Sequence, residues 1–98
     1  MSKKVCILLR DKDYVLDGLR STLGLSVENH YSYAVVMQTE LEKFDEYNQE
    51  NIEWIRDMEG EVFTSVPANA DNNGLVAVTI EELGQKLREM DVIIPYGV

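Results

Sequence analysis

Cysteine is nearly absent from this chain of 98 residues, which holds only Cys6. One thiol excludes an internal disulfide, a multi-cysteine metal site and a CxxC redox pair, and it agrees with a reducing compartment. Long apolar runs are also missing, since none approaches the ~18 residues that a membrane-spanning helix needs. The apolar run near the start covers only Val5 to Leu9 and no small-residue cleavage site follows it. We therefore expect a cytoplasmic protein with no membrane partner.

Basic residues are scarce as well. The sequence has 9 Lys and Arg against 18 Asp and Glu, a net charge of -9. Residues 40–61 hold nine acids and two bases, so -7 of this charge lies in one segment. Such a surface repels phosphate backbones, and we expect no nucleic-acid partner. The acidic segment is interpreted as a solvated helix face, with a docking surface for a basic partner as the alternative.

The hydrophobic pattern alternates between strands and helices and predicts one domain over residues 1–98. Residues 3–10 form a nearly continuous apolar run, the pattern of a strand buried on both faces of a parallel sheet. Residues 14–23 have helical spacing and end at Gly24, and residues 31–38 form the second strand. The fold class predicted from this order is α/β, a three-layer α/β/α sandwich with a mainly parallel sheet of four to five strands.

The second half of the chain continues the pattern. Thr39 with Glu42, and Thr79 with Glu82, each match a capping box, so a helix is predicted after each threonine. The apolar spacing of the acidic segment changes near residues 48–51, which predicts two shorter helices ending at Gly60. The remaining predictions are a strand over residues 61–66, a polar loop over 66–74, and strands over 75–78 and 91–98.

In a parallel sheet, ligands bind beyond the carboxyl ends of the strands, where the loops after each strand meet. These loops supply the candidate residues of a small-ligand or anion pocket, namely Arg10, Gln38, Thr39, Asn69 and Tyr96. Neither GxGxxG nor GxxxxGK[ST] occurs in the sequence, so we expect no nucleotide cofactor bound by a glycine-rich loop, and no other cofactor is predicted.

A metal site is not predicted. Asn69, Asp71, Asn73 and Gly74 match the first half of a calcium-binding EF-hand loop. The bidentate glutamate of such a loop is replaced by Ile80, and a strand rather than a helix precedes the loop. We interpret the segment as a polar turn.

No catalytic residue is assigned from the sequence, and Cys6 is the only candidate thiol. It lies among apolar residues of the first strand, which predicts core packing, because burial raises a thiol pKa and makes the group inert. A reactive Cys6 requires an exposed side chain and a local positive field. His30, the only histidine, has no nucleophile placed beside it and is interpreted as a residue of a polar joint.

Three segments resemble DsrE/DsrF-like proteins, the sulfur-relay group that includes the TusBCD components. DGLRSTLGLSVENHYSYAVVM is similar to their first helix and second strand, EWIRDMEGEVF to the third helix and strand, and TIEELGQKLREMDVIIPYG to the closing helix and strand. The resemblance implies a three-layer α/β/α domain that assembles into trimers or hexamers. It also implies, in active members, a persulfide-carrying cysteine in the loop after the third strand. Here Ser65, Val66, Pro67 and Ala68 occupy that place.

Three functions follow from these observations. The first is a non-catalytic DsrE/DsrF-like protein that acts as an oligomeric interaction or regulatory subunit linked to sulfur metabolism. It would form homo-oligomers or bind paralogous subunits. The second is a sulfurtransferase or persulfide carrier that uses Cys6. The third is a sensor that binds a small ligand or anion.

Overall fold

A computed structural model describes residues 3–28 and 30–96 of the chain. Five strands and four α-helices follow one another in these residues: β1 (Lys4–Leu9), α1 (Val15–Val27), β2 (Tyr31–Val36), α2 (Glu46–Asp57), β3 (Glu61–Thr64), α3 (Pro67–Asn73), β4 (Val76–Ala77), α4 (Ile80–Arg88) and β5 (Val92–Tyr96). A short 3-10 helix, Lys12–Tyr14, leads into α1. The last two residues of the predicted strand over 91–98 lie outside the described part of the chain.

The five strands form a single parallel sheet in the order β4-β3-β2-β1-β5. The chain adds β2, β3 and β4 in one direction from β1 and then crosses the whole sheet to place β5 on the other side of β1. Because crossover connections are right-handed, this reversal places α4 on the opposite face of the sheet from α1 and α2. The predicted α/β sandwich with a parallel sheet is confirmed.

Two apolar cores match this arrangement of helices. The larger core packs α1 and α2 on the sheet and includes Leu9, Leu19, Val36 and Ile55. The smaller core lies under α4 and includes Cys6, Val35, Phe63, Val78 and Leu83. No helix among residues 3–28 and 30–96 is long and apolar enough to cross a bilayer.

The prediction of a helix beginning after Thr39 is wrong. Residues 39–45 are an irregular segment, and α2 begins at Glu46 with Asp45 as its cap, whose side chain accepts from the Asn48 backbone N–H. The predicted break near residues 48–51 is also wrong, because α2 continues through them with Asn48 and Asn51 buried. The buried face of α2 includes the polar residues Asn48 and Asn51, so the apolar residues alone did not show the spacing of one continuous helix.

Two helices also differ from the predictions, and the strands β2, β3 and β4 are each shorter than predicted. α1 continues past Gly24 to Val27, since Gly24 has helical backbone geometry and lies on the open side of the helix. The predicted loop over 66–74 contains α3, which begins with Pro67 in the first turn and ends at Gly74 in the left-handed conformation, with φ of 69°. Both are favoured positions for these residues at helix ends.

Candidate functional site

A cleft of about 620 Å³ opens at the carboxyl edge of the sheet. The ends of β1, β2 and β5 meet there because parallel strands end at the same edge. Its walls include Arg10 and Lys12 after β1, Gln38 and Thr39 after β2, and Tyr96 at the end of β5. Four of the five residues predicted to line a ligand pocket are therefore brought together, and Asn69 is not among them.

The cleft lies where the direction of the crossovers reverses. β1 connects through α1 to β2 on one side, whereas β5 reaches the other side of β1 through α4. Loops leave the sheet toward opposite faces at such a point and leave a crevice between them. The position of the cleft thus follows from the topology, independently of which side chains line it.

Gln38 has a backbone conformation that is rare for a side-chain-bearing residue. Its φ is 60°, in the left-handed region. The residue before it is tied to β1, because the Met37 backbone N–H donates to the Leu9 carbonyl at 2.8 Å. The left-handed residue turns the chain sharply at the end of β2 and directs Thr39 along the cleft wall. Such a conformation costs about 1–3 kcal/mol and persists where the surrounding structure enforces it.

The cleft combines exposed charges of both signs. Arg10 and Lys12 contribute positive charge, while Asp11 and Glu40 contribute negative charge. The Asp11 side chain is engaged in accepting from the Asp13 backbone N–H at 3.0 Å. Neither cation forms an ion pair within residues 3–28 and 30–96. The two cations are therefore available to an anionic group on this part of the surface.

Tyr96 closes one side of the cleft with an apolar wall. Its ring packs edge-on against Tyr14, with ring centroids 6.5 Å apart and planes inclined by 66°. This pairing fixes the Tyr96 ring, because edge-to-face aromatic pairs have a preferred geometry. A ligand in the cleft would meet a positioned aromatic ring.

Asn69 is fully buried in α3 and all its polar contacts are to the chain itself. Its Oδ1 accepts from the Leu41 backbone N–H at 2.7 Å. Its Nδ2 donates to the Thr39 carbonyl at 2.8 Å and to Thr64 Oγ1 at 3.2 Å. The side chain therefore holds residues 39–41 in place behind the cleft and does not line it.

Asn73 repeats this role one helical turn later. Its Oδ1 accepts from the Phe44 backbone N–H at 2.7 Å, and its Nδ2 donates to the Glu42 carbonyl at 3.0 Å. The two asparagines that match an EF-hand loop are thus directed at the 39–45 segment. No cluster of three or more His, Cys, Asp or Glu side chains suited to a metal ion occurs in the part of the chain that the structure describes.

Cys6 lies in the middle of β1, on the face covered by α4, and its side chain is fully buried. Burial without a stabilising charge raises the pKa of the Cys6 thiol to about 12. A persulfide donor could reach the sulfur only after α4 separates from the sheet. At the place where the resemblance implies a cysteine, Val66 precedes α3 and Pro67 opens it.

The sequence did not reveal the exposure of β5. Val92, Ile93 and Ile94 are 39%, 41% and 38% exposed. Because successive residues of a strand point to opposite faces, both faces of β5 are open as well as its free edge. A continuous apolar run predicts a strand covered on both faces, so the pattern gave no sign of this exposure.

Comparison with known proteins gives no family for the chain, since no protein-family model and no curated protein sequence matches it.

Proposed function

We propose that the protein is a non-catalytic DsrE/DsrF-like subunit of the cytoplasm, which assembles with copies of itself or with paralogous subunits. The observation that carries this proposal is the partly exposed apolar strand β5. Three consecutive apolar side chains on an edge strand are unusual for a surface that faces only water, and such patches mark protein interfaces. The buried Cys6 supports a role without sulfur transfer.

The chemistry of β5 favours side-chain packing over extension of the sheet. Pro95 lies in β5 opposite Leu8 of β1 and has no backbone N–H to donate to a further strand. A partner would therefore cover the side chains of Ile93 and Ile94 rather than pair along the edge. Trimers or hexamers are the assemblies that the family resemblance implies.

The test is the molar mass of the protein in solution, measured by sedimentation velocity over a concentration series. We expect an oligomer whose dissociation is promoted by Ile93→Asp or Ile94→Asp, because a buried unpaired carboxylate is costly. Ile80→Asp is the matched control, since Ile80 is 67% exposed at the start of α4 and away from β5. A wild-type monomer at every concentration, or equal dissociation by the control, would contradict the proposal.

A second candidate function is the binding of a small anionic ligand in the cleft at the carboxyl edge of the sheet. The observation that favours it is the position of Arg10 and Lys12 at the crevice where the crossovers reverse. A ligand that binds only the folded protein raises its melting temperature by mass action. Inorganic phosphate and nucleoside phosphates are suitable probes. We expect Arg10→Ala to reduce the shift and Arg88→Ala, on α4, to leave it unchanged; no shift with any probe would exclude this function for these anions.

A further inference from the structure

An exposed apolar groove runs along the outer surface between α1 and α2. Its α2 wall is formed by Tyr47, Trp54 and Met58, and its α1 wall by Leu16 and Val27. Tyr47 and Trp54 are each 57% exposed and Val27 is 64% exposed. These are large apolar side chains on a helical layer that already covers the sheet, so core packing does not explain them.

Helical spacing and contacts place the α2 residues on the side that faces α1. Tyr47, Trp54 and Met58 are separated by seven and four residues, which puts them on one flank of the helix. The opposite flank reaches α3 and β4, because Gln49 Nε2 donates to Asn73 Oδ1 at 3.3 Å and Arg56 donates to the Gly74 carbonyl at 2.6 Å. The aromatic flank therefore faces α1.

The α1 wall is identified by the recesses that open at the two ends of the groove. At one end, Leu16 shares a recess with Phe44 and Asn48 next to the start of α2. At the other end, Val27 shares a recess with Met58. Leu16 therefore faces the start of α2 and Val27 its end, and the two recesses are separated by about the 18 Å length of the 12 residues of α2.

Asn51 lies between the two aromatic residues, four positions after Tyr47 and three before Trp54. It is only 7% exposed, and its Nδ2 has no hydrogen-bond partner in residues 3–28 and 30–96. An unpaired buried amide is unfavourable, and a carbonyl or hydroxyl of a bound molecule would relieve it.

The charge around the groove selects the kind of partner. α2 presents the exposed acids Glu46, Glu50, Glu53 and Asp57, and its one base, Arg56, pairs with Glu61 at 2.6 Å. On the α1 wall the base Arg20 pairs with Asp17 at 2.7 Å, so the net charge around the groove is negative. A second copy of the chain would bring the same acids and be repelled. A basic partner would be attracted, and its lysine or arginine side chains could also lie over the faces of the two aromatic rings.

We propose that this groove binds a basic amphipathic helix of another protein. The apolar side of that helix would pack on Tyr47, Trp54 and Val27, and its lysine or arginine residues would lie against the acids of α2. A helix fits because the groove is bounded by two helices and exposed apolar side chains occur along the length of α2. The binding is separate from assembly through β5 and does not require it.

Trp54 is the only tryptophan in the chain, so its fluorescence reports on the groove directly. The probe is a synthetic peptide of leucine and lysine with leucines at helical spacing, and its control is a peptide of the same composition in scrambled order. We expect the amphipathic peptide to shift Trp54 emission to shorter wavelength and the scrambled peptide to bind at least about tenfold more weakly, because only one presents an apolar stripe.

Two variants locate the binding while keeping the reporter. Tyr47→Ala should weaken binding about tenfold, since a central aromatic contact is lost. Glu50→Lys should weaken it about tenfold at low salt, whereas Glu89→Lys, the same charge change just after α4, should change it less than about twofold. Ile93→Asp should leave peptide binding intact, which separates this inference from the proposed assembly through β5.

Equal binding of the two peptides, equal effects of Glu50→Lys and Glu89→Lys, or binding without a change in Trp54 emission would each overturn the proposal. So would the absence of any binding at low salt. These outcomes would leave the acidic face of α2 as a surface that only maintains solubility.

Discussion

Removal of the Asn69 side chain should destabilise the protein far more than its position in a polar, surface-like sequence indicates. In Asn69→Ala the Leu41 backbone N–H and the Thr39 carbonyl lose their partners, and Thr64 Oγ1 loses one of its contacts. A buried polar group left without a partner costs about 1–3 kcal/mol. The Leu41 N–H is buried and the Thr39 carbonyl is partly buried. Their two losses, with the small cavity left behind, give an expected loss of about 3 kcal/mol in the free energy of unfolding.

Asn73→Ala is the matched control. Asn73 also binds two main-chain groups of the 39–45 segment, at Phe44 and Glu42, but these bonds are only partly buried. Water can replace the lost partner there, so we expect a cost of about 1–2 kcal/mol. The two variants share the residue type, the helix and the kind of partner, and they differ in that the bond from the Leu41 N–H to Asn69 is buried whereas the bond from the Phe44 N–H to Asn73 is partly buried.

Equilibrium unfolding in urea, followed by circular dichroism, measures both losses. Hydrogen exchange at the Leu41 amide provides a local readout, because its protection depends on Asn69 Oδ1. A cost for Asn69→Ala below about 1 kcal/mol, or no loss of protection at Leu41, would refute the assignment of these hydrogen bonds as the support of the segment.

Other predictions concern the thiol and two glycines. In the native protein Cys6 should react with a disulfide reagent much more slowly than in urea, since its pKa is raised to about 12 by burial; equal rates would place it at the surface. Because the pKa of Cys6 is higher in the folded protein than in the unfolded chain, the thiol ionises first in the unfolded chain as the pH rises above the ordinary thiol pKa. The free energy of unfolding should therefore fall over that pH range, and Cys6→Ala should remove this part of the pH dependence. Gly84→Ala should raise the free energy of unfolding by about 0.5–1 kcal/mol, because a Cβ there meets no atom within 4 Å and alanine favours the helix. Gly60→Ala should lower it, since a Cβ would overlap the Ser32 carbonyl and lie 2.9 Å from Ile55 Cγ2; a neutral result in either glycine variant would contradict this packing.

Two similar motifs show how far local sequence determines local structure. Thr79 and Glu82 form the predicted capping box, with both reciprocal hydrogen bonds present, and α4 follows. Thr39 and Glu42 have the same spacing, yet no helix starts there. The Thr39 carbonyl and the Leu41 N–H, which a helix would use, bond to Asn69 instead. The competing partner is about thirty residues away in the chain, so local reasoning could not identify it.

The cleft was predictable to the extent that topology determines it. Arg10, Gln38, Thr39 and Tyr96 follow strands whose order along the chain implied a parallel sheet, and such strand ends meet at one edge. Asn69 was assigned to the same edge because it follows β3, but α3 turns its side chain inward. The Asn69 side chain points inward because residues 67–73 form a helix, and the Pro, Asn, Asp and Gly residues of this segment had predicted a turn instead.

The groove between α1 and α2 could be predicted only in part. The charge of the acidic segment was evident, and a docking surface for a basic partner was one interpretation of it. Tyr47 and Trp54, in contrast, could not be placed on one side of a helix, because the apolar spacing of the segment predicted two short helices. Only the continuous α2, with Asn48 and Asn51 on its buried face, places both aromatic residues outside.

The strand order also bears on the sequence of events during synthesis. Residues up to Val78 contain β1 to β4 and the three helices between them, and α4 and β5 leave the ribosome after them. Until they dock, the face of β1 that carries Cys6 lacks its cover of Leu83, Leu87 and Met90. The Cys6 thiol, which is unreactive in the folded protein, is therefore accessible to oxidants and electrophiles on the nascent chain. Burial of this thiol reports that α4 and β5 have docked on the sheet.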